Sequence, residues 1–410
     1  MEADRTELEK IFEELCKITP ITIGRKPELS TKLTTEAEAV CSFALSQDFG
    51  LNKDNMFLGI DVGGSTSDIL LLAKDPTNGN NSSLYRESSV RLAAGVFFNA
   101  VIKSENFRQA LVNFHEGKKT SVYVANIKEI LSEPQKAPYY LNSIFDQLKS
   151  ENDYEEFYSS IDANARFVFT IPAYVTGLLL FYSGMLIGKI IKTEHMYHIN
   201  RIDILSFGKG GRLFHWLRSS AGRRATNEFY ANCLNAGVNL VINKTLEVKY
   251  RDEIEVDNKA EVAKGLVVPK DLIKKNPYSD SDICGETGVK YTMPDGTPKP
   301  LHTEDELTGD YFANEMNNFD FSEVKNFEIF MNIFIEFVSQ KTRLYPKADD
   351  ALRDELVDLP NRITGYICNN DNEYRKARKN EGNGFHYHQP IIIAEGLSFL
   401  DTLIRKAFNQ

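Results

Sequence analysis

Two short runs in the 410-residue sequence carry residue types that can do chemistry together. The first is Asp61-Val62-Gly63-Gly64-Ser65-Thr66-Ser67-Asp68. Its glycines let backbone N–H groups converge on an anion because no Cβ intrudes, and its hydroxyls add donors. Such a turn can hold phosphate. The flanking Asp61 and Asp68 can hold a magnesium ion through water against the same phosphates, since that cation keeps several of its waters. The simpler alternative is a β-turn whose glycines supply a positive φ, which leaves both aspartates unexplained. The second run is Gly208-Lys209-Gly210-Gly211-Arg212. Taken alone it is equally a strand-to-helix turn or a helix cap. His386 and His388 would share one strand face, but no further ligands are evident and a zinc site needs three or four, so surface histidines are expected.

The elements around these runs decide what they can reach. Residues 57–61 read as a buried strand, 63–66 as a tight turn and 69–72 as a second strand, together a glycine-rich hairpin. Residues 78–83 read as a loop and 90–94 as a third strand, and Gly95 opens a mostly helical region to about residue 160. Residues 202–207 form another apolar strand, which runs into the second glycine run before a helix resumes at 213–217. Helices are expected at 4–17, at 35–45 with Thr35 as cap and Glu36 and Glu38 in the first turn, and at 257–266. Residues 270–310, rich in Pro, Asp, Gly and Ser, read as an insertion or linker. The stripe Phe327, Phe330 and Phe334 lies at helical spacing and belongs to a core, and a last helix carries Leu397, Leu400, Leu403 and Ile404.

The hairpin resembles the second phosphate motif, D-hydrophobic-G-G-G-T-x-D, of the actin, seventy-kilodalton heat-shock chaperone and sugar kinase superfamily, with Ser65 in place of the third glycine. Thr35-Glu36-Ala37-Glu38-Ala39-Val40 resembles the helix that comes before that motif in the chaperones, and Glu36 takes its acidic position. Residues 204–212 are similar to the family's adenosine motif, with Lys209 where a glycine is usual, and 260–266 resemble the second connecting helix at the hinge between lobes. The resemblance implies an α/β fold of the ribonuclease-H-like type, a mixed sheet flanked by helices, with a helical insertion and a C-terminal extension. It implies an ATPase lobe at 1–269 and family-specific material at 270–410. It also implies ATP and magnesium as ligands. Gly63, Gly64, Ser65 and Thr66 would cradle phosphates, and Asp61 and Asp68 would hold metal-bound water. Gly208, Lys209, Gly210, Gly211 and Arg212 would cover the nucleoside, Arg212 stacking its planar guanidinium on the base. Glu36 would orient water or stand beside the magnesium, if it is more than a helix-terminal charge.

Only 60 residues precede Asp61, too few for the family's first phosphate motif, so the chain is expected to be a second lobe that acts with a protein partner or with a first lobe. Reading the hairpin as a first phosphate motif, as in sugar kinases, leaves the Glu36 helix and Asp68 without a role. The expected function is a nucleotide-dependent switch. Alternatives are a non-catalytic actin-fold scaffold or filament subunit, and a sugar or small-acid kinase.

Composition narrows the remaining classes. A net charge of −10 and the lack of a basic, aromatic-interleaved stripe argue against nucleic acid as a partner. Cys16, Cys41, Cys233, Cys284 and Cys368 are odd in number and widely spaced, which suits a reducing cytoplasm and no disulfide framework. The N-terminal residues lack the apolar core of a signal peptide. Residues 167–188 are uncharged and long enough to invite a membrane reading. A strand at 167–171, a stop at Pro172 and a helix over 174–191 are expected there instead, with Gly177, Gly184 and Gly188 near one face for close approach to a sheet or another helix. A buried core helix, and no membrane partner, is the expectation.

Overall fold

A computed structural model describes residues 52–74, 82–118, 153–251, 282–293, 295–307, 319–366 and 389–408. It also describes scattered helical residues between 39 and 46 and between 125 and 148, the pair 264–265 and the strand residues 273–275. The expected helix at 4–17 and the histidines at 386 and 388 lie outside the described residues.

A mixed sheet organises the chain. Its strands are β1 (Asn55–Val62), β2 (Ser67–Lys74), β3 (Ser82–Val90), β4 (Arg201–Phe207), β5 (Glu247–Tyr250) and β6 (Ile273–Lys275), in the order β5-β4-β1-β2-β3-β6. β1, β4 and β5 run parallel, and β2 is antiparallel to both β1 and β3. As a central strand β1 is apolar on both faces, the pattern expected where a sheet is covered on both sides. Met56, Leu58 and Ile60 pair across with Ala73, Leu71 and Ile69 and point into the main core. The opposite face carries Phe57, whose ring meets Phe207 edge-on at 6.4 Å, and further along it Asp61 and Asp68.

The third strand differs from expectation. It begins at Ser82, inside the predicted loop, and residues 91–94 follow it without strand structure. Its sequence, SSLYRESSV, has no apolar run because its buried polar residues find distant partners: Ser88 Oγ donates to Asp282 Oδ1 at 2.6 Å.

Among the described residues between β3 and β4 the main elements are helices, with α1 (Gly95–Lys103), α2 (Glu105–Gly117), α3 (Tyr154–Ser160) and α4 (Thr170–Thr193). Residues 167–171 are not a strand. Phe167–Phe169 form a 3-10 turn, and α4 starts at Thr170 with Pro172 in its first turn, where a missing N–H removes no helical bond. By length and apolarity α4 could cross a membrane, yet 94% of its most apolar window is buried inside the fold. It packs against α6 (Arg223–Asn239), which follows α5 (Arg212–Ala221). Glycines set that crossing: a Cβ on Gly184 would overlap the Leu234 carbonyl, and one on Gly237 the Phe181 carbonyl.

α4 is also covered by α7 (Lys325–Glu336) and by α9 (Ile391–Phe408), with α8 (Ala348–Val357) packed beside them. The expected aromatic stripe is core: Tyr174 meets the rings of Phe330 and Phe334 edge-on at 5.4 and 5.3 Å. Residues of the stretch 270–310 form part of a small antiparallel sheet, β7 (Val289–Thr292) and β8 (Pro298–Pro300), completed by β9 (Phe319–Phe321) in the order β8-β7-β9.

Candidate functional site

The two glycine runs meet at the carboxyl end of β1. Val62 pairs with Ser67, and the four residues between them close on a hydrogen bond from Gly63 N–H to the Thr66 carbonyl at 2.8 Å. Neither Gly63 nor Gly64 has its φ in the left-handed region, so a positive φ is not why glycines stand here. A Cβ on Gly63 would crowd the Thr66 carbonyl at 2.9 Å, whereas one on Gly64 would meet nothing within 4 Å. Gly64, Ser65 and Thr66 are exposed, and among the described residues no acceptor takes their backbone N–H groups.

The turn is braced from one side by the segment that leads into α1. Ala94 N–H donates to the Gly63 carbonyl at 3.1 Å and Gly95 N–H to the Gly64 carbonyl at 3.0 Å. Ser67 Oγ donates to the Leu92 carbonyl at 2.5 Å. A Cβ on Gly95 would overlap the Gly64 carbonyl. This third wall was not foreseen from sequence; its available signal is a glycine placed after the small residues Ala93 and Ala94.

On the other side stands the loop after β4. Asp61 is register partner to Phe207, the last residue of β4. Gly208 follows with φ 67° and ψ 172°, a conformation essentially confined to glycine. A Cβ there would overlap the Asp61 carboxylate, so the carboxylate lies against the bare Gly208 Cα. Gly210 comes as close to the neighbouring residue: its Cβ would lie 2.6 Å from the Val62 carbonyl and from Ala94 Cβ. Ser206 Oγ donates to the Gly211 carbonyl at 3.1 Å and is hydrogen-bonded to the Tyr250 hydroxyl at 2.8 Å, which ties the loop to β5. Lys209 is exposed and Arg212, the first residue of α5, is half-buried.

Asp61 and Asp68 are direct cross-strand partners and so project from the same face of the sheet. Asp61, Asp68, Gly63–Thr66 and Gly208–Arg212 are therefore gathered at one edge, where a ligand can approach backbone N–H groups from outside the strands. In open α/β sheets ligands commonly bind outside the carboxyl ends of the strands. Glu36 lies outside the described residues.

The described residues near 40 and near 265 also touch. Ala39 and Val40 are buried, and a Cβ on Gly265 would overlap the Ala39 carbonyl. The Lys264 ammonium stands 5.7 Å from the centre of the Phe43 ring. The chain matches no protein-family model and no curated protein.

Proposed function

We propose that this chain is a nucleotide-binding lobe of the actin-like and heat-shock-chaperone-like ATPase type, a switch that takes ATP with magnesium at the edge where Gly63–Thr66 and Gly208–Arg212 meet. One observation carries the reading: Gly208 packs on the Asp61 carboxylate and Gly210 on the Val62 carbonyl, so two loops distant in sequence form one surface. The strand order, β3-β2-β1-β4-β5 with only β2 reversed among these five, supports a ribonuclease-H-like topology. The contact of Gly265 with Ala39 supports the connecting-helix reading.

The fit of the residues to the ligand is chemical. The N–H groups of Gly64, Ser65 and Thr66 point to no acceptor among the described residues and suit phosphate oxygens. Asp61 and Asp68 suit the waters of a magnesium ion, which would supply charge neutralisation at the phosphates. Arg212, at the start of α5, suits a planar base. Turnover of phosphate needs charge positioned from several directions, so the chain is expected to hydrolyse ATP slowly without a facing lobe or protein partner.

Calorimetric titration of the chain with magnesium ATP tests this. Binding heat is expected, together with a change in the fluorescence of Trp216, the single tryptophan, which is buried one turn beyond Arg212. Asp61→Ala should remove both while leaving the circular dichroism spectrum intact. No heat at millimolar ATP, or an unchanged response in the variant, would overturn the nucleotide reading in favour of a scaffold that keeps the fold alone.

A further inference from the structure

Outside the glycine loops, two carboxyl groups are fully buried where α9 packs against the segment 283–286. Glu286 has no solvent exposure, and its two oxygens already accept three backbone N–H groups. Oε1 takes those of Thr287 at 2.7 Å and Asn326 at 2.8 Å, and Oε2 takes that of Phe327 at 2.9 Å. Asn326 and Phe327 open α7, so Glu286 satisfies helix-terminal donors and meets the positive end of the helix dipole. Burial raises its carboxyl above the usual carboxylate range, and those three contacts oppose that rise by favouring the ionised form.

Glu395, on α9, is likewise fully buried, and neither of its oxygens meets an N–H or hydroxyl donor among the described residues. α9 meets the segment that carries Glu286, where Ile392 N–H donates to the Cys284 carbonyl at 3.3 Å and Gly285 lies against the Ile392 side chain, and Glu286 is the charged neighbour that acts on the Glu395 carboxyl. Two carboxylates cannot bond to each other unless one of them carries a proton. The other titratable groups on the elements packed against the pair are the buried Cys284 thiol, Asp305, the Tyr174 and Tyr366 hydroxyls, and Lys325, whose exposed ammonium lies 2.5 Å from Glu323. Among the described residues no three His, Cys, Asp or Glu come together as a metal ion would require.

We propose that Glu286 and Glu395 form a proton-holding latch, in which Glu395 stays a neutral acid that donates to the Glu286 carboxylate and ties the C-terminal helix to the start of α7. Tyr174 strengthens the same junction by donating from its hydroxyl to the Gly396 carbonyl at 2.8 Å, which joins α9 to α4. Release of the proton would leave two buried anions in contact, so the latch loosens as pH rises.

The sign follows from linkage. Burial, and then the neighbouring Glu286 charge, push the Glu395 carboxyl well above the usual carboxylate range. An unfolded glutamate titrates near about 4.3. The folded chain therefore holds a proton that the unfolded chain has lost, and stability falls as pH rises from that value through the folded one. Asp282 is also pushed up by burial and adds a parallel slope. His115 is held below its usual value by burial, so its contribution has the opposite sign and ends near about pH 6.5.

Thermal unfolding of the full chain between about pH 5 and about pH 8 tests the latch. The midpoint of the unmodified chain should fall toward pH 8. Glu395→Gln, whose amide donates the same hydrogen bond without a titrating proton, should flatten that slope and raise the midpoint at about pH 8 by about 2 °C or more. Glu286→Gln should lower the midpoint at every pH. An unchanged slope in Glu395→Gln, or a midpoint below that of the unmodified chain at about pH 8, overturns the proposal. Should Glu395→Gln fail to fold, the infrared spectrum of Asp282→Asn decides: a protonated-acid carbonyl band must persist at neutral pH, and its absence overturns the latch.

Discussion

Glycine serves packing alone at the crossing of α4 with α6, but not everywhere at the sheet edge. At the crossing every described glycine position is filled by the partner: Gly184 faces the Leu234 carbonyl, Gly237 the Phe181 carbonyl, and Gly177 the Phe229 ring. Absent side chains are replaced there by protein, and two helices approach until their backbones touch. The sheet edge is mixed. Gly208 and Gly210 are packed as tightly as the helical glycines, but Gly64 faces open space with an ordinary φ. A glycine that neither packing nor backbone conformation requires is a different kind of observation, because the fold alone does not account for it. Close packing explains one region completely and the other only in part, and the unexplained part lies at the edge proposed to take the nucleotide.

The largest effect of a substitution is expected at the crossing. Gly184→Leu puts a side chain where the Leu234 carbonyl already lies, and overpacking of this kind costs about 3 kcal/mol or more when backbone has to move. The expected outcome is loss of cooperative thermal unfolding or recovery only as aggregate. A variant that unfolds within a degree of the unmodified chain would mean that the two helices are not in backbone contact.

A smaller effect is expected from Gly208→Ala. The backbone conformation of this residue strains any side chain by about 1–3 kcal/mol, and the new Cβ would displace the Asp61 carboxylate. The chain should still fold, with a lowered midpoint, and should lose the calorimetric response to magnesium ATP. Retained binding at full affinity would show that Asp61 and the second loop do not act together.

How much of this was legible in sequence follows from the range of the interactions. The hairpin at 55–74 and the strand entering Gly208 were readable because turn chemistry and apolar runs are local. The third strand was displaced from its expected place because Ser88 is satisfied by Asp282, a partner 194 residues away that no window can see. Pro172 was read as a stop, but its meaning depends on which turn of the helix it occupies, and that was set by the preceding Phe167–Phe169 turn. Asp61 and Asp68 could be nominated from spacing, whereas their placement opposite each other required the register of β1 and β2. The Glu286 and Glu395 pair leaves no spacing signature at all. Its one trace is a glutamate inside the apolar run that begins α9.

The least disruptive substitution at the sheet edge separates packing from ligand binding. Gly64→Ala adds one methyl group at an exposed position with nothing within 4 Å and no left-handed φ to strain. Its effect on stability should therefore stay within about 0.5 kcal/mol, the range of a surface substitution away from special features. If glycine stands there so that a phosphate can approach the backbone, the methyl group obstructs that approach and weakens a hydrogen bond to a charged group. Such a bond is worth about 1.5–3 kcal/mol, so magnesium ATP should bind about tenfold more weakly or worse. The pairing of an unchanged unfolding midpoint with a weakened affinity is what a packing role cannot produce. An unchanged affinity would instead place the phosphates elsewhere along the edge and leave Gly64 without a part in holding them.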